Sequence, residues 1–506
     1  MIASDRLRRS RLPRPVPLVL LLTQAWAAGA VAQTGSQSLS AGIETRLGYY
    51  DFLGDTRVGR QGTEWIGEIT PTLSLQSRSG RIIGSLDYGL TLRRRSGLEP
   101  SSEAVNRLDS RFSAEAVPRH LFLEGQASIA EQATSPFGQQ SPADSGSGNR
   151  NRAEVGTASF SPVLRGVIGG AVTAEARLNV AALNTRDSLV GDNLQTGGSL
   201  SLSSLVSGTL FSWGLTAHGT ETDYRIGRTT RVDSTTATLG WQADADLSLT
   251  LRGGSETQNV QELESQRTNT WGVGASWRPS PRTRLQLNLD DRYFGRGYGA
   301  VAEYRLPRTT FSWTSGRDTT SGLGGSIEPQ TQFQQLMALL ATDIPDVTAR
   351  EAAVRELLAT LGLDPASVAR PGFVISSASV VERHALSWAW AGQRLNFGVQ
   401  GYRTVTTAID TALSAVAREP LRQNGYSANA AYKLTPTSSL VGNGSRLMTK
   451  ATPTQPGTDL KSVSLSWTEQ LGRRTNVSLS ARYTVFNSAI DPYREAALTA
   501  ALLSRF

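Results

Sequence analysis

The feature that most restricts what this chain can fold into is an alternation of apolar and polar residues with period 2, present in nearly every segment after Gln33. The clearest stretch sets Ile82, Gly84, Leu86, Tyr88, Leu90 and Leu92 against Ser85, Asp87, Thr91 and Arg93. Successive side chains of a β-strand point to opposite faces, so this is a strand with one apolar face. Before the turn Ser77-Arg78-Ser79-Gly80, residues Trp65, Ile69, Pro71, Leu73 and Leu75 oppose Glu64, Glu68, Thr70, Thr72 and Ser74. The two segments read as a hairpin. The rule returns at residues 172 to 180 and 477 to 485. Counting such segments predicts an all-β chain of about 22 strands (range roughly 20 to 24) of about 8 to 15 residues each, close to what crosses a bilayer at a tilt.

The connections then select the architecture. Short turns near 77 to 80, 117 to 119, 245 to 246, 279 to 281, 391 to 393 and 470 to 474 alternate with longer polar connections near 51 to 62, 132 to 151, 184 to 194, 221 to 232, 259 to 267, 407 to 423 and 449 to 459. One end of an antiparallel meander is therefore trimmed and the other elaborated, as in a transmembrane β-barrel with short periplasmic turns and long outer loops. Closure in lipid satisfies every backbone group and turns the apolar face to hydrocarbon. Trp213, Trp241, Trp271, Trp277, Trp313, Trp388 and Trp467 lie in or at the ends of these strands, and some of them are expected to form aromatic girdles. The last segment places Ala496, Leu498, Ala500, Leu502 and Phe506 on one face. A terminal aromatic at the periplasmic rim resembles the assembly signal of bacterial outer-membrane proteins, which implies the barrel-assembly machinery as a partner.

Residues 1 to 32 have an Arg-rich start, an apolar stretch from Val16 to Trp26, and Ala30-Val31-Ala32 before Gln33. This is the pattern of a secretory signal peptide cleaved after Ala32, leaving 33 to 506 as the barrel. The whole chain carries a formal charge of +8, but the leader holds five Arg against one Asp and the rest is spread along strands and loops, so nucleic acid is not an expected partner. With no Cys and three His, thiolate and iron–sulfur sites are excluded and no cofactor is expected.

The polar faces carry Glu68, Asp87, Arg93, Arg107, Asp109, Arg111, Glu175, Arg177, Arg252 and Arg482 among Ser, Thr, Asn and Gln. Mixed charge with hydroxyls and amides reads as a wetted lumen, roughly 40 Å across for 22 tilted strands. Residues 321 to 371 break the strand rule: Leu336, Leu339 and Leu340 suggest one apolar stripe, and Val347, Val354, Leu357, Leu358 and Leu361 recur at helical spacing before Gly362 and Pro365. A helical hairpin forming a short insertion on the outer side follows, either a constriction in the mouth, a lid above it, or an outer decoration. Leu336, Leu340, Val354, Leu357 and Leu361 are the residues expected to pack it. A second small helix is expected over 408 to 418.

Neither the His-x-Ser arrangement of a barrel phospholipase nor the adjacent Asp-His pair of a barrel protease occurs, so no catalytic residues are expected. His218 near Glu221 and Asp223, and His384 before Ser387, read as polar strand residues. Asp51, Asp55, Asp144, Asp192 and Asp318 in the loops lack calcium-loop spacing.

The stretches "EITPTLSLQSRSGRIIGSLDYGLTL", "RLDSRFSAEAVPRHLFLEGQASIAEQATSPFGQQ", "NRAEVGTASFSPVLRGVIGGAVTAEARL", "RTTFSWTSGRDTT", "TDIPDVTAREAAVRELLATLG" and "DPYREAALTAALLSRF" occur in this order. Together they resemble a family of outer-membrane barrel proteins associated with the PEP-CTERM/exosortase system, across almost all of the chain after the leader. The resemblance implies a bacterial outer-membrane location alongside exopolysaccharide or biofilm production, with outer-membrane lipid, lipopolysaccharide, exopolysaccharide or export components as partners. It lends no catalytic residue. The expected function is a channel or export conduit for polysaccharide or other polar solutes, and the alternative is a non-conducting structural or assembly barrel. A TonB-dependent receptor shares the strand number, but fewer than about ten residues separate Gln33 from the first strand, too few for a plug domain.

Overall fold

The computed structural model describes residues 36–53, 62–78, 80–97, 100–142, 149, 151–186, 191–205, 210–320, 330–331, 350, 354, 368–370, 373, 377–410, 419–472 and 474–506. In chain order the strands are β1 Ser36–Phe52, β2 Gly62–Arg78, β3 Ile82–Ser96, β4 Ser101–Val117, β5 Leu121–Ala133, β6 Arg152–Ile168, β7 Val172–Thr185 and β8 Asn193–Ser204. Then come β9 Phe211–Tyr224, β10 Thr230–Gln242, β11 Leu247–Gln258, β12 Gln266–Ser280, β13 Thr283–Arg292, β14 Gly295–Leu306, β15 Thr309–Thr320, β16 Gln330–Thr331 and β17 Val368–Arg370. The last seven are β18 Ser379–Ala391, β19 Leu395–Ala408, β20 Leu421–Lys433, β21 Ser438–Thr449, β22 Thr458–Gln470, β23 Thr475–Ser488 and β24 Tyr493–Arg505.

β16 and β17 pair only with each other, and the other 22 strands form one sheet. Each pairs antiparallel with its neighbour in sequence, β15 passing directly to β18. β24 returns to β1 in a register from Gly42↔Arg505 to Phe52↔Glu495. The sheet is thus a closed barrel without a free edge, and its ladder satisfies the backbone groups internally.

Parity sorts the side chains. On β1 and β2, Leu39, Ile43, Leu47, Trp65, Ile69 and Leu73 are exposed on the outside, whereas Glu44, Arg46, Glu64 and Glu68 occupy the alternate positions. Around the wall, Leu251, Leu287, Leu289, Val463, Leu465 and Leu498 are each 51% to 64% exposed. In water so continuous an apolar belt is a liability, but in a bilayer it is the solvated face. Trp213, Trp241, Trp271, Trp277 and Trp313 are exposed on it. Phe311, Trp388 and Phe397 form a row of ring contacts across β15, β18 and β19 at 6.4 and 5.4 Å. Trp467, near the short-turn end of β22, donates its indole N–H to Ser438 Oγ at 2.9 Å.

One end of the barrel is rimmed by tight turns. Gly169 and Gly170 between β6 and β7 have φ of 60° and 70°, the conformation a two-residue hairpin needs to match the strand twist. Ser36 and Phe506 lie at this same end, where the Phe506 amide donates to Ala41 O at 2.7 Å. The other end bears the long connections.

Two expectations are corrected. The 22 wall strands run from 10 to 17 residues rather than about 8 to 15, with β1, β2, β4 and β6 reaching 17. Pairing does not stop where the apolar belt stops, so the wall continues past the thickness of lipid. In the insertion, Arg350 and Val354 are helical, but β16 and β17 form a small antiparallel pair within the segment expected to be a helical hairpin. Leu336, Leu340, Leu357 and Leu361 lie outside the described residues, as do 411 to 418 of the second expected helix, whose first position, Ala408, ends β19.

The assignment of faces predicts unequal costs on one strand. Leu465→Arg, on the lipid face of β22, is expected to lose about 2–4 kcal/mol, and Ser466→Arg on the lumen face less than about 1 kcal/mol. Equilibrium urea unfolding in lipid vesicles measures both, and equal losses would contradict the faces.

Candidate functional site

The inner wall is stitched by ion pairs between strands. Arg93 Nε donates to Glu68 Oε1 at 2.6 Å, and Arg46 approaches Glu68 at 3.6 Å from the other side while also pairing with Glu44 at 2.8 Å. Arg93 and Arg95 both reach Glu103, at 3.3 and 3.2 Å, so this ladder crosses β1 to β4. A second network lies on β5 to β7: Glu124 accepts from Arg177 at 2.8 Å and from Arg165 at 3.4 Å, and Arg165 pairs with Glu175 at 2.8 Å. Arg252 on β11 reaches Asp290 on β13 at 3.0 Å, across β12. It can do so because Gly272 and Gly274 occupy the inward positions of β12. A Cβ on Gly272 would come within 2.1 Å of Asp290 Oδ1.

Of the residues expected on the lumen face, Glu68 with Arg93, Glu175 with Arg177, Arg252 and Arg482 thus belong to ion pairs between side chains. Asp87 accepts the Ser74 hydroxyl at 2.6 Å and stands opposite Asp109. Arg107, Asp109 and Arg111 occupy alternate positions on β4, on one face. Their partners Arg46, Glu103, Glu124, Arg165, Asp290 and Glu495 are not among the expected lumen residues. Parity was a usable signal for all six, since each lies on the polar face of its strand, but which partner each meets is a matter of register.

The innermost of these pairs is Arg482 with Glu495, 2.6 Å apart between β23 and β24, with side chains 4% and 0% exposed. Thr484, Phe486 and Tyr493 are buried beside it. Tyr493 donates its hydroxyl to Gln140 O at 2.8 Å. Gln140 belongs to the connection between β5 and β6, so that loop reaches over β1 to β4 to touch β24. Within it, Asn151 holds the turn by donating to Ser135 O and Gln139 O at 2.7 and 3.1 Å.

A second crossing is made by Arg228, between β9 and β10. Its Nε donates to Asp410, just after β19, at 2.8 Å, and its other nitrogens donate to Val260 O at 2.6 Å and to Asn259 O. β10 and β19 are separated by six wall strands, β11 to β15 and β18. Ala133 at the end of β5 also bridges to Phe373, which precedes β18. Loops from three sectors therefore converge over the mouth. No sequence signal marks Arg228 and Asp410, which are 182 residues apart. Asp192 in the β7–β8 connection accepts the Thr185 amide at 2.6 Å. Burial pushes its carboxyl above the usual range, against the Thr185 amide and Arg225, which pull it down.

Among the described residues no group of acidic and histidine side chains could hold a metal ion. His218 shares a hydrogen bond with Thr220. His384 lies between Ser315 Oγ at 2.8 Å and Glu382 at 3.0 Å, but Ser315 is only 8% exposed, and the arrangement ties β15 to β18 rather than presenting a nucleophile. Asp318 pairs with Arg292 at 3.0 Å, while Asp55 and Asp144 lie outside the described residues.

No protein-family model and no curated protein matches the chain. Among solved structures it is similar to the FrpB iron transporter from Neisseria meningitidis, with 11% identity over 92% of this chain and 82% of that one and a TM-score of 0.48. It is also similar to a mutant of the ferric enterobactin receptor PfeA from Pseudomonas aeruginosa (11% identity, 92% and 80% covered, TM-score 0.45). A third is OpdQ of the same organism (10% identity, 93% and 99% covered, TM-score 0.34). These likenesses concern barrel architecture and nothing finer. The chain is a closed, 22-stranded antiparallel β-barrel of the kind found in bacterial outer-membrane proteins.

Proposed function

We propose that this protein is an outer-membrane conduit for polar solutes, polysaccharide among them, whose outer mouth is held shut by its own loops. The observation that carries the reading is the pairing of a charged, hydroxyl-lined inner wall with loops that meet across the opening through Arg228 and Asp410. Inner faces bearing Arg93, Glu68, Arg177 and Glu124 offer hydrogen bonds to sugars and repel apolar solutes. The residue order that resembles the PEP-CTERM-associated family supports an exopolysaccharide setting, with export components and exopolysaccharide as partners and Phe506 as the assembly signal. Residues 321 to 371 remain the proposed constriction, supported by the full burial of Val354.

The test is single-channel conductance of the refolded barrel in a planar bilayer, intact and with residues 321 to 371 deleted. The conduit reading expects little current from the intact protein and discrete openings from the deletion. The same converging loops also favour a second reading, a non-conducting scaffold for envelope partners, and silence from both proteins in verified barrels would select it.

A further inference from the structure

The outer surface is not uniformly charged where the apolar belt ends. On β19 to β22, at the long-loop end, Arg403, Arg422, Arg446, Lys450 and Lys461 are all exposed. The register brings them together on the outward parity: Arg403 faces Asn424, Tyr426 faces Arg446, and Arg446 faces Lys461. Among the described residues, Asp459 is the one carboxylate on the outward face at the long-loop end of β19 to β22, and it sits between two of the cations; on the adjacent β18, Glu382 is turned to His384 at 3.0 Å, one outward step from Arg403. Asp459 accepts hydrogen bonds from Arg446 Nε and Nη2, at 2.9 and 3.0 Å, and lies 3.4 Å from Lys461. Among the described residues no carboxylate pairs with Arg403, Arg422 or Lys450. Two to four residues further toward the short-turn end the same faces are apolar, with Val399, Tyr426, Val463 and Leu465 exposed.

The opposite sector is built differently. The outward, long-loop ends of β9 and β10 carry Glu221, Asp223 and Asp233 against Arg231, which is already paired with Asp233 at 2.7 Å. The β9–β10 edge therefore lacks the cationic excess of β19–β22, and Arg94, Arg296 and Arg494 are exposed cations on other strands.

We propose that this face of β19–β22 binds the phosphate groups of an outer-leaflet glycolipid of the lipopolysaccharide class. Its acyl chains would lie along Tyr426, Val463 and Leu465, and its phosphates would meet the guanidinium and ammonium groups just above. A cation cluster immediately above a hydrocarbon-facing belt matches the anionic head and apolar tails of such a lipid in charge and in order. Arg offers the forked donor geometry that phosphate accepts in pairs. Asp459 keeps Arg446 and Lys461 side by side, and the unpaired Arg403 and Arg422 are left for the ligand.

The inference rests on the outer-membrane reading above, so the barrel is first shown to fold and insert in phosphatidylcholine vesicles by its heat-modifiable gel shift. Bound lipid is then counted by native mass spectrometry of the full chain in detergent, titrated with bisphosphorylated lipid A. The R403Q/R422Q variant is compared with R231Q/R267Q, which removes the same charge from the far side. The first pair is expected to weaken lipid A binding about tenfold or more, and the second to leave it unchanged. Dephosphorylated lipid A should bind the intact protein no better than the R403Q/R422Q variant binds lipid A, and millimolar inorganic phosphate should not compete. Equal loss in both pairs, no loss in the first, or displacement by inorganic phosphate would overturn the site while leaving the conduit reading intact. Failure to insert into any bilayer would remove both.

Discussion

Replacing Glu495 by Ala is expected to destabilise the barrel by about 3–5 kcal/mol, the cost of leaving a buried charge without its partner. Arg482 and Glu495 are 2.6 Å apart with side chains 4% and 0% exposed, so water cannot take over from the lost carboxylate. Arg482→Ala should cost about as much, whereas a double replacement by Met should recover most of the loss, because two apolar groups leave no orphaned charge. The contrast lies at Arg46. Its side chain is 31% exposed and shares Glu68 with Arg93, so Arg46→Ala is expected to cost less than about 1 kcal/mol. Urea unfolding midpoints of the refolded variants measure all four. A double variant as unstable as the single ones would show that the site needs charge for its architecture.

Among single substitutions, removing Arg228 should have the largest effect on conductance. Its guanidinium holds Asp410, Asn259 O and Val260 O together, and so joins three connections that the wall itself keeps apart. Arg228→Ala leaves a buried Asp410 without this donor and two carbonyls without theirs, and hydrogen bonds to a charged group are worth about 1.5–3 kcal/mol each. A shift of that size multiplies the open population by about tenfold or more. Asp410→Ala should open the mouth less, since Arg228 keeps its carbonyl partners. The double variant should add little to Arg228→Ala, because both changes break one clasp. Single-channel recordings test this directly, and a silent Arg228→Ala barrel, folded and inserted, would favour the scaffold.

How far the residues themselves disclosed this arrangement differs from feature to feature. Glu64, Glu68, Asp87 and Arg93 could be placed on one face from spacing alone, because side-chain direction alternates along any strand. The pairing of Arg93 with Glu68, 25 residues away, follows once the hairpin turn near Ser77 is recognised. Arg252 was legible as inward-facing, but its reach to Asp290 depends on two glycines in the intervening strand, which only the register of three strands brings into line. Arg228 and Asp410 stand in loops without periodicity, so nothing local marked either. The small β16–β17 pair was missed for a related reason: segments of 2 and 3 residues carry too little alternation to be seen against a helical background.

The sequence by itself determined the two faces of the wall, the alternation of short and long connections and the approximate number of strands, all properties of the backbone's local period and its turns. The partner of each inner charge, the loops that cross the mouth and the gathering of cations on β19–β22 were decided by the tertiary structure. Each of these joins residues far apart in the chain, and their meeting depends on strand register and barrel closure rather than on any neighbour in sequence.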